Sequence, residues 1–215
     1  MTSILIFGAT GKTGLQIVTQ ALARGWSVRA VVRDAAKLVI RHVNLQVVVA
    51  DMADPSAIES ALLAAPVDAV VSALGVYSRE PTTALSEGTR HIVEAMRRSG
   101  THRIVVVSSL GAGDSHGQGP FAVRMVQRFI LKEVLVDKTR QEQILARSGL
   151  EWTSLRPPQL TDDAGVRDDL VTWSGPQPSR RLGWAVSRAS VARYVLESVE
   201  HRKWIGAAVC LAAPR

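Results

Sequence analysis

Met1-Thr-Ser-Ile-Leu-Ile-Phe7 followed by Gly8-Ala9-Thr10-Gly11-Lys12-Thr13-Gly14 opens the chain and decides its architecture. The first seven residues carry no charged side chain and read as a short buried strand. After the glycines, Leu15, Val18, Thr19 and Leu22 recur at helical spacing. A strand, a glycine loop and a helix start form a phosphate cradle, because free amides and the helix dipole face the loop. Gly8 permits the tight turn, Gly11 lets a backbone approach a pyrophosphate, and Gly14 lets the helix pack on the strand. The spacing is G-x-x-G-x-x-G. Gly11-Lys12-Thr13 also resembles the end of a triphosphate P-loop, but that motif needs a glycine where Ile6 stands, which excludes it. A plain turn would explain the glycines alone. The strand before them and the helix after them favour dinucleotide binding.

Outward from this loop, strand and helix patterns alternate nearly to the end. Strands are expected over 27–32, 45–49, 67–72, 103–107, 151–155 and 207–212, with a short β-like piece around Val171-Thr172-Trp173. Asp54-Pro55 reads as an N-cap with proline at the first helical position. Residues 121–147 read as helix, in two pieces, and 190–200 as helix. Residues 110–120, rich in Gly, Asp, Ser and His, read as a mobile loop. Pro157-Pro158 stops the sixth strand. Strands separated by helices require right-handed parallel crossovers. The expected fold is α/β, a single Rossmann-type doubly wound parallel sheet with helices on both faces, spanning 1–215. A small segment around 157–186 is expected to cover the substrate. Ligands bind such sheets beyond the carboxyl ends of the strands.

The chain of 215 residues can bury a sizeable core. Its net charge of +7 is scattered, with no basic tail and no aromatic platform, so no nucleic-acid partner is expected. No apolar run reaches the roughly 18 residues of a membrane span, so no membrane partner is expected either. The first strand follows Met1 so closely that no signal peptide fits, and a cytoplasmic location is expected. Cys210 is the one cysteine; it lies in an apolar run and reads as a small buried hydrophobe. Five histidines lack ligand spacing, so no metal is expected, and His116 alone is left open.

Chemistry is expected at the loops after the strands. Arg33 lies nineteen residues after Gly14, where an NAD-binding fold commonly carries an acid for the ribose hydroxyl. A cation there suits a 2′-phosphate, and Lys37 one turn on can reach the same group, so NADP is placed ahead of NAD, with Asp34 keeping NAD open. Asp51 either accepts from the adenine amino group or caps a strand-end turn. Leu74 and Gly75 either lie along the cofactor ribose or form an ordinary turn. Ser108 and Ser109 either hydrogen-bond a substrate or nicotinamide carbonyl, or cap backbone groups. Lys138 and Glu142 read as a surface pair four residues apart. Trp173, Arg180 and Trp184 either stack on and pair with a planar anionic substrate, or are core tryptophans and a surface arginine.

Gly8–Gly14, Val32-Arg33-Asp34, Asp68–Val71, Ser86–Arg90, Ser148-Gly149-Leu150 and Pro178-Ser179-Arg180 together resemble the atypical short-chain dehydrogenase/reductase superfamily, in its NAD(P)-binding, NmrA-like branch. Within it the chain is most similar to flavin reductases of the biliverdin reductase B type. The resemblance implies that Thr10, Gly11, Lys12 and Thr13 hold the pyrophosphate, Arg33 and Lys37 the 2′-phosphate, and Asp51 and Met52 the adenine. It implies Ser109 beside the nicotinamide and Arg180 on the substrate side, with Lys138 and Gln159 standing where those reductases carry histidines, Gln159 on the substrate side. The wider superfamily uses Tyr-x-x-x-Lys. Lys138 fits the lysine, but Val134 stands at the tyrosine.

The expected function is NADPH-dependent hydride transfer to a small planar conjugated acceptor such as a flavin, quinone or bilin, with Ser109 orienting and Lys138 supplying charge. The alternatives are a non-catalytic NADP(H) sensor, or an epimerase or dehydratase with tightly held cofactor. A monomer or weak homo-oligomer is expected.

Overall fold

The computed structural model describes residues 1–76, 78 and 80–215. The opening stretch forms β1 (Ser3–Phe7) and α1 (Lys12–Ala23), as its pattern demands. The alternation continues through β2 (Ser27–Val32), β3 (Leu45–Val49), α2 (Pro55–Leu63), β4 (Ala69–Ser72), α3 (Ala84–Ser99) and β5 (Arg103–Val107). Then come α4 (Phe121–Phe129), α5 (Lys132–Ala146), β6 (Glu151–Arg156), β7 (Gln159–Thr161), β8 (Val171–Trp173), β9 (Leu182–Gly183), β10 (Ala185–Ser187), α6 (Arg188–Glu200) and β11 (Ala207–Pro214).

The main sheet runs in the order β3-β2-β1-β4-β5-β6-β11-β8. The run from β3 to β11 is parallel; β8 joins β11 antiparallel, and β9 also pairs β11 antiparallel. β7 and β10 form a separate parallel pair. The order of strand addition reverses at β1, outward to β2 and β3 on one side and then to β4, β5 and β6 on the other, so the switch point lies between the ends of β1 and β4, where a doubly wound sheet opens a ligand crevice.

Burial on both faces explains the unbroken apolar strands: Ile4 to Phe7 and Ile104 to Val106 are all buried. One core layer joins Ile4, Ile6, Ile17 and Val18 to Val191 and Val195 of α6. The other joins Leu5, Phe7, Ile58 and Leu62 to Ile92 and Met96 of α3. Local signals act as read: the Asp54 side chain accepts from the amides of Ser56 and Ala57 with Pro55 at the first helical position, and Gly100 ends α3 in the left-handed region at φ 72°.

Two expectations need correction. The loop over 110–120 is tied down rather than loose. Gly111 N donates to Ser115 Oγ (2.9 Å), Gly113 N to Thr139 Oγ1 (2.9 Å), and Gly119 N to Gln177 Oε1 (2.8 Å). Arg156 also holds Asp114. Lys138 and Glu142 are not a surface pair; both are buried, and Glu142 Oε2 pairs with Arg156 Nη2 at 2.6 Å. A helix covered by α3 on one side and by the pinned loop on the other has no solvent face at those positions. Cys210 is buried as read, and desolvation raises its thiol to about 11.

Candidate active site

The glycine cradle is built by exclusion of side chains. Gly8 sits at φ +78°, and a Cβ there would lie 2.7 Å from the Ala73 carbonyl oxygen. A Cβ on Gly14 would lie 2.0 Å from the carbonyl oxygen of Gly8, so strand end and helix start touch backbone to backbone. α1 starts at Lys12 with Gly11 as N-cap, no side chain capping it and no acid in its first turn. Its first amides therefore face outward without a built-in anion, which suits a phosphate.

Two adjoining cavities flank this loop, sharing Gly11, Ala73, Leu74, Gly75 and Val76. The first, about 530 Å³, takes in Gly8, Thr10, Arg33, Asp51, Met52, Gly88 and His91. Asp51 spends Oδ1 on the Ala53 amide (2.8 Å), so it does cap a turn, with its other oxygen left over. Asp34 likewise accepts from Ala36 N (3.0 Å) as the cap of a 3-10 turn over Ala35–Lys37. Arg33 lines the cavity, whereas Lys37 is exposed and does not.

Sequence reasoning gives no role in this wall to Gly88, which figures only within the Ser86–Arg90 motif, or to His91, one of the five histidines without ligand spacing. A Cβ on Gly88 would come within 3.1 Å of the Met52 methyl carbon, and His91 Nδ1 lies 3.0 Å from the Met52 carbonyl oxygen. A glycine inside α3, where it costs about 1 kcal/mol against alanine, is the signal that could have found this wall.

The second cavity, about 460 Å³, takes in Lys12, Thr13, Ser108, Ser109, Val134, Lys138, Gln159 and Arg188. Ser108 Oγ is buried without a partner, and Ser109 Oγ donates weakly to the Leu110 carbonyl at 3.3 Å. Lys138 Nζ donates to the Val107 carbonyl at 3.2 Å, and burial lowers its pKa to about 8 against the opposing pull of Glu142 and Asp137. Val134 occupies the adjacent helical turn, in the same wall. Leu131, Leu135, Pro157, Pro158 and Leu160 make the rest of that wall largely apolar.

Lys12 is tied across the cleft to Asp162 Oδ2 (2.6 Å), whose Oδ1 meets Arg188 Nη1 (2.6 Å). Neither Asp162 nor Arg188 carries a readable motif. Arg180 lies elsewhere, in a surface depression with Arg181, Trp184 and Arg215, and lines neither cavity. Trp173 meets Trp184 edge to face at 6.4 Å between centroids and donates to Gln118 Oε1, joining the 157–186 segment to the pinned loop.

The residues present therefore fit a dinucleotide. There is a glycine cradle that side chains would fill, an uncapped helix start, a cation at the end of β2 and an orphaned hydroxyl at the end of β5. Among the described residues there is no cluster of metal ligands.

Comparison with known proteins agrees. A family model described as NAD(P)H-binding matches residues 8–202. An uncharacterised chloroplastic protein of Arabidopsis thaliana is 32% identical over 206 residues, 91% of this chain and 71% of that protein. A 3-diazoavenalumate denitrifying reductase from Streptomyces is 38% identical over 124 residues, 53% of this chain and 40% of that one. ChuY, described as an anaerobillin reductase of Escherichia coli O157:H7, superposes with a TM-score of 0.83 at 26% identity, covering 99% of this chain and 98% of its own. A short-chain dehydrogenase/reductase of Veillonella parvula solved with NADP shares the fold, at TM-score 0.79 and 18% identity, covering 99% of this chain and 95% of its own. Cradle, switch-point crevice and family match converge: the chain belongs to the NAD(P)H-binding family.

Proposed function

We propose that the protein is an NADPH-dependent reductase that passes hydride to a planar conjugated acceptor, a flavin, quinone or bilin-like ring. The carrying observation is the wall of the second cavity. Leu131, Val134, Leu135, Pro157, Pro158 and Leu160 make it largely apolar, and Val134 stands at the position where the wider superfamily carries its tyrosine. Reduction of an isolated ketone needs a positioned acid for the alkoxide. A conjugated ring spreads the incoming electron pair over its own heteroatoms and can take its proton from water. When bound, the nicotinamide supplies the hydride.

The chain's own groups do the rest. Ser108 and Ser109 offer hydroxyls at the end of β5 to orient an amide or carbonyl. Lys138, close to its titration point at neutral pH, supplies positive charge to a reduced ring or a proton to it. Arg33 favours a 2′-phosphate, since it lines the first cavity whereas Asp34 does not. ChuY, an anaerobillin reductase by description, supports a tetrapyrrole-like acceptor.

The test is acceptor selectivity in steady-state NADPH consumption. Turnover with FMN, naphthoquinone or biliverdin, and none with simple ketones, is expected. Faster turnover of ketones than of conjugated rings would sink the proposal. Val134 at the tyrosine position favours a second reading, a non-catalytic NADP(H) sensor; cofactor binding without oxidation across that panel would select it.

A further inference from the structure

The largest cavity among the described residues, about 780 Å³, lies outside the cofactor cleft. It is bounded by the pinned loop, α4 and α5, and meets the second cavity only at Leu135. Its size is that of a small-molecule site.

α4 faces it in an unusual way. The helix buries Gln127, at 3% exposure, and turns its large apolar side chains outward: Phe121 is 68% exposed and Phe129 67%. Phe121 and Met125 reach the cavity, while Val126, Phe129 and Ile130 stand outside it. With Leu135 and Val136 across from them, they make an apolar trough.

Its rim is cationic. Arg124, Arg128 and Lys132 line it, and no acid does. Among the described residues Arg124 and Arg128 make no ion pair, and Lys132 reaches only Glu133 at 3.6 Å. No acid occurs anywhere from Ser115 to Lys132.

The floor between them is fixed. Gln127 Nε2 donates to the Gln118 carbonyl (3.2 Å), which holds the amide beneath the trough, and its Oε1 is buried without a partner. Gly111, at φ +102°, keeps this floor clear, since a Cβ there would lie 2.9 Å from Gln127 Cδ.

We propose that this cavity is a second ligand site, for an amphipathic organic anion. The apolar body rests on Phe121, Met125, Leu135 and Val136. A carboxylate, sulfonate or phosphate pairs with Arg124, Arg128 and Lys132. The site stands independently of the reductase proposal.

The test uses 8-anilinonaphthalene-1-sulfonate, an aromatic anion with one N–H, titrated by fluorescence into the full chain with NADP at saturation to close the cofactor cleft. Saturable binding is expected. Arg124→Ala with Arg128→Ala, both exposed positions that folding tolerates, should weaken it about tenfold or more. Val126→Ala, exposed on the same helix but outside the cavity, should change it by less than about twofold. Neutral N-phenyl-1-naphthylamine should bind at least about tenfold more weakly and ignore the arginine changes. The proposal is overturned if the double arginine variant binds the anion like the parent, or if Val126→Ala costs as much. It is also overturned if the neutral dye binds equally well, or if NADP displaces the anion.

Discussion

Gly14→Ala isolates the cradle on which the cofactor assignment rests. An alanine Cβ would lie 2.0 Å from the Gly8 carbonyl oxygen, 2.8 Å from the Gly8 carbonyl carbon and 2.9 Å from Ala9 Cα, whereas real Cβ atoms essentially never come under 3.0 Å. The two backbones must therefore part by about 1 Å. Gly8 cannot absorb this by moving toward β4, because the Ala73 carbonyl already closes that side. Such overpacking costs about 1–3 kcal/mol. Against it, alanine at the third residue of α1 gains up to about 1 kcal/mol of helix propensity. Strain wins by about 1–2 kcal/mol, which for a chain of this length lowers the unfolding midpoint by about 2–8 °C.

The functional loss should be larger. A loop displaced by about 1 Å misaligns the amides that would meet the pyrophosphate, and one charge-assisted hydrogen bond is worth about 1.5–3 kcal/mol. The NADPH dissociation constant should rise roughly tenfold to a hundredfold. Thermal unfolding without cofactor and calorimetric titration with NADPH read the two effects. Gly165→Ala, where a Cβ meets nothing within 4 Å, serves as the control. A Gly14→Ala protein that melts and binds like the parent would refute the contact geometry and the cradle together.

Arg33→Ala should raise the NADPH dissociation constant about tenfold or more and leave that for NADH within about twofold; equal changes would remove the 2′-phosphate assignment. Lys138→Met reports on buried charge. The lysine falls from 10.5 in the unfolded chain to about 8 in the fold, so its burial costs about 3 kcal/mol below pH 8, and that cost fades as pH rises toward 10.5. Orphaning the Val107 carbonyl takes back about 1 kcal/mol. Urea unfolding should therefore find the variant about 2 kcal/mol more stable at neutral pH, losing that advantage toward pH 10.5. Glu142→Gln leaves the Arg156 guanidinium, with only 4% of its side chain exposed, in a buried site with Asp114 as its one remaining acid; a loss of about 3 kcal/mol is expected in the same assay. Lys12→Ala, which breaks only an exposed bridge, should cost less than about 1 kcal/mol.

The parallel sheet was legible because its strands are buried on both faces and so read as unbroken apolar runs between helical patterns. The cradle was legible because a glycine loop between strand and helix has few other uses. The lining of the first cavity followed from chain order: Arg33, Asp51, Leu74 and Gly75 each end or follow a strand, and each lines it. What failed depended on tertiary cover. The spacing of Lys138 and Glu142 is that of a surface pair, and nothing local says that α3 and a pinned loop bury them. Arg180 sits near an aromatic residue in both sequence and space, yet the fold of 157–186 turns it away from the cavity. Arg188 and Asp162 join the cleft through a long-range ion pair that no spacing encodes. α4 was the least legible, because an apolar stripe on a short helix reads as core, and here it faces outward while a glutamine is buried.

The central claim is hydride transfer from NADPH to a conjugated ring in the cavity beside Lys138. NADPH carrying deuterium at the transferable position of its nicotinamide, mixed anaerobically with the enzyme and biliverdin or FMN in a stopped-flow instrument, tests it most directly. The account predicts decay of the NADPH band faster than in the enzyme-free mixture, slowed by deuterium, with the label recovered in the product or lost only through exchange at a flavin nitrogen. NADPH bound but not oxidised by any conjugated acceptor, or oxidised without an isotope effect on the single-turnover rate, would contradict it.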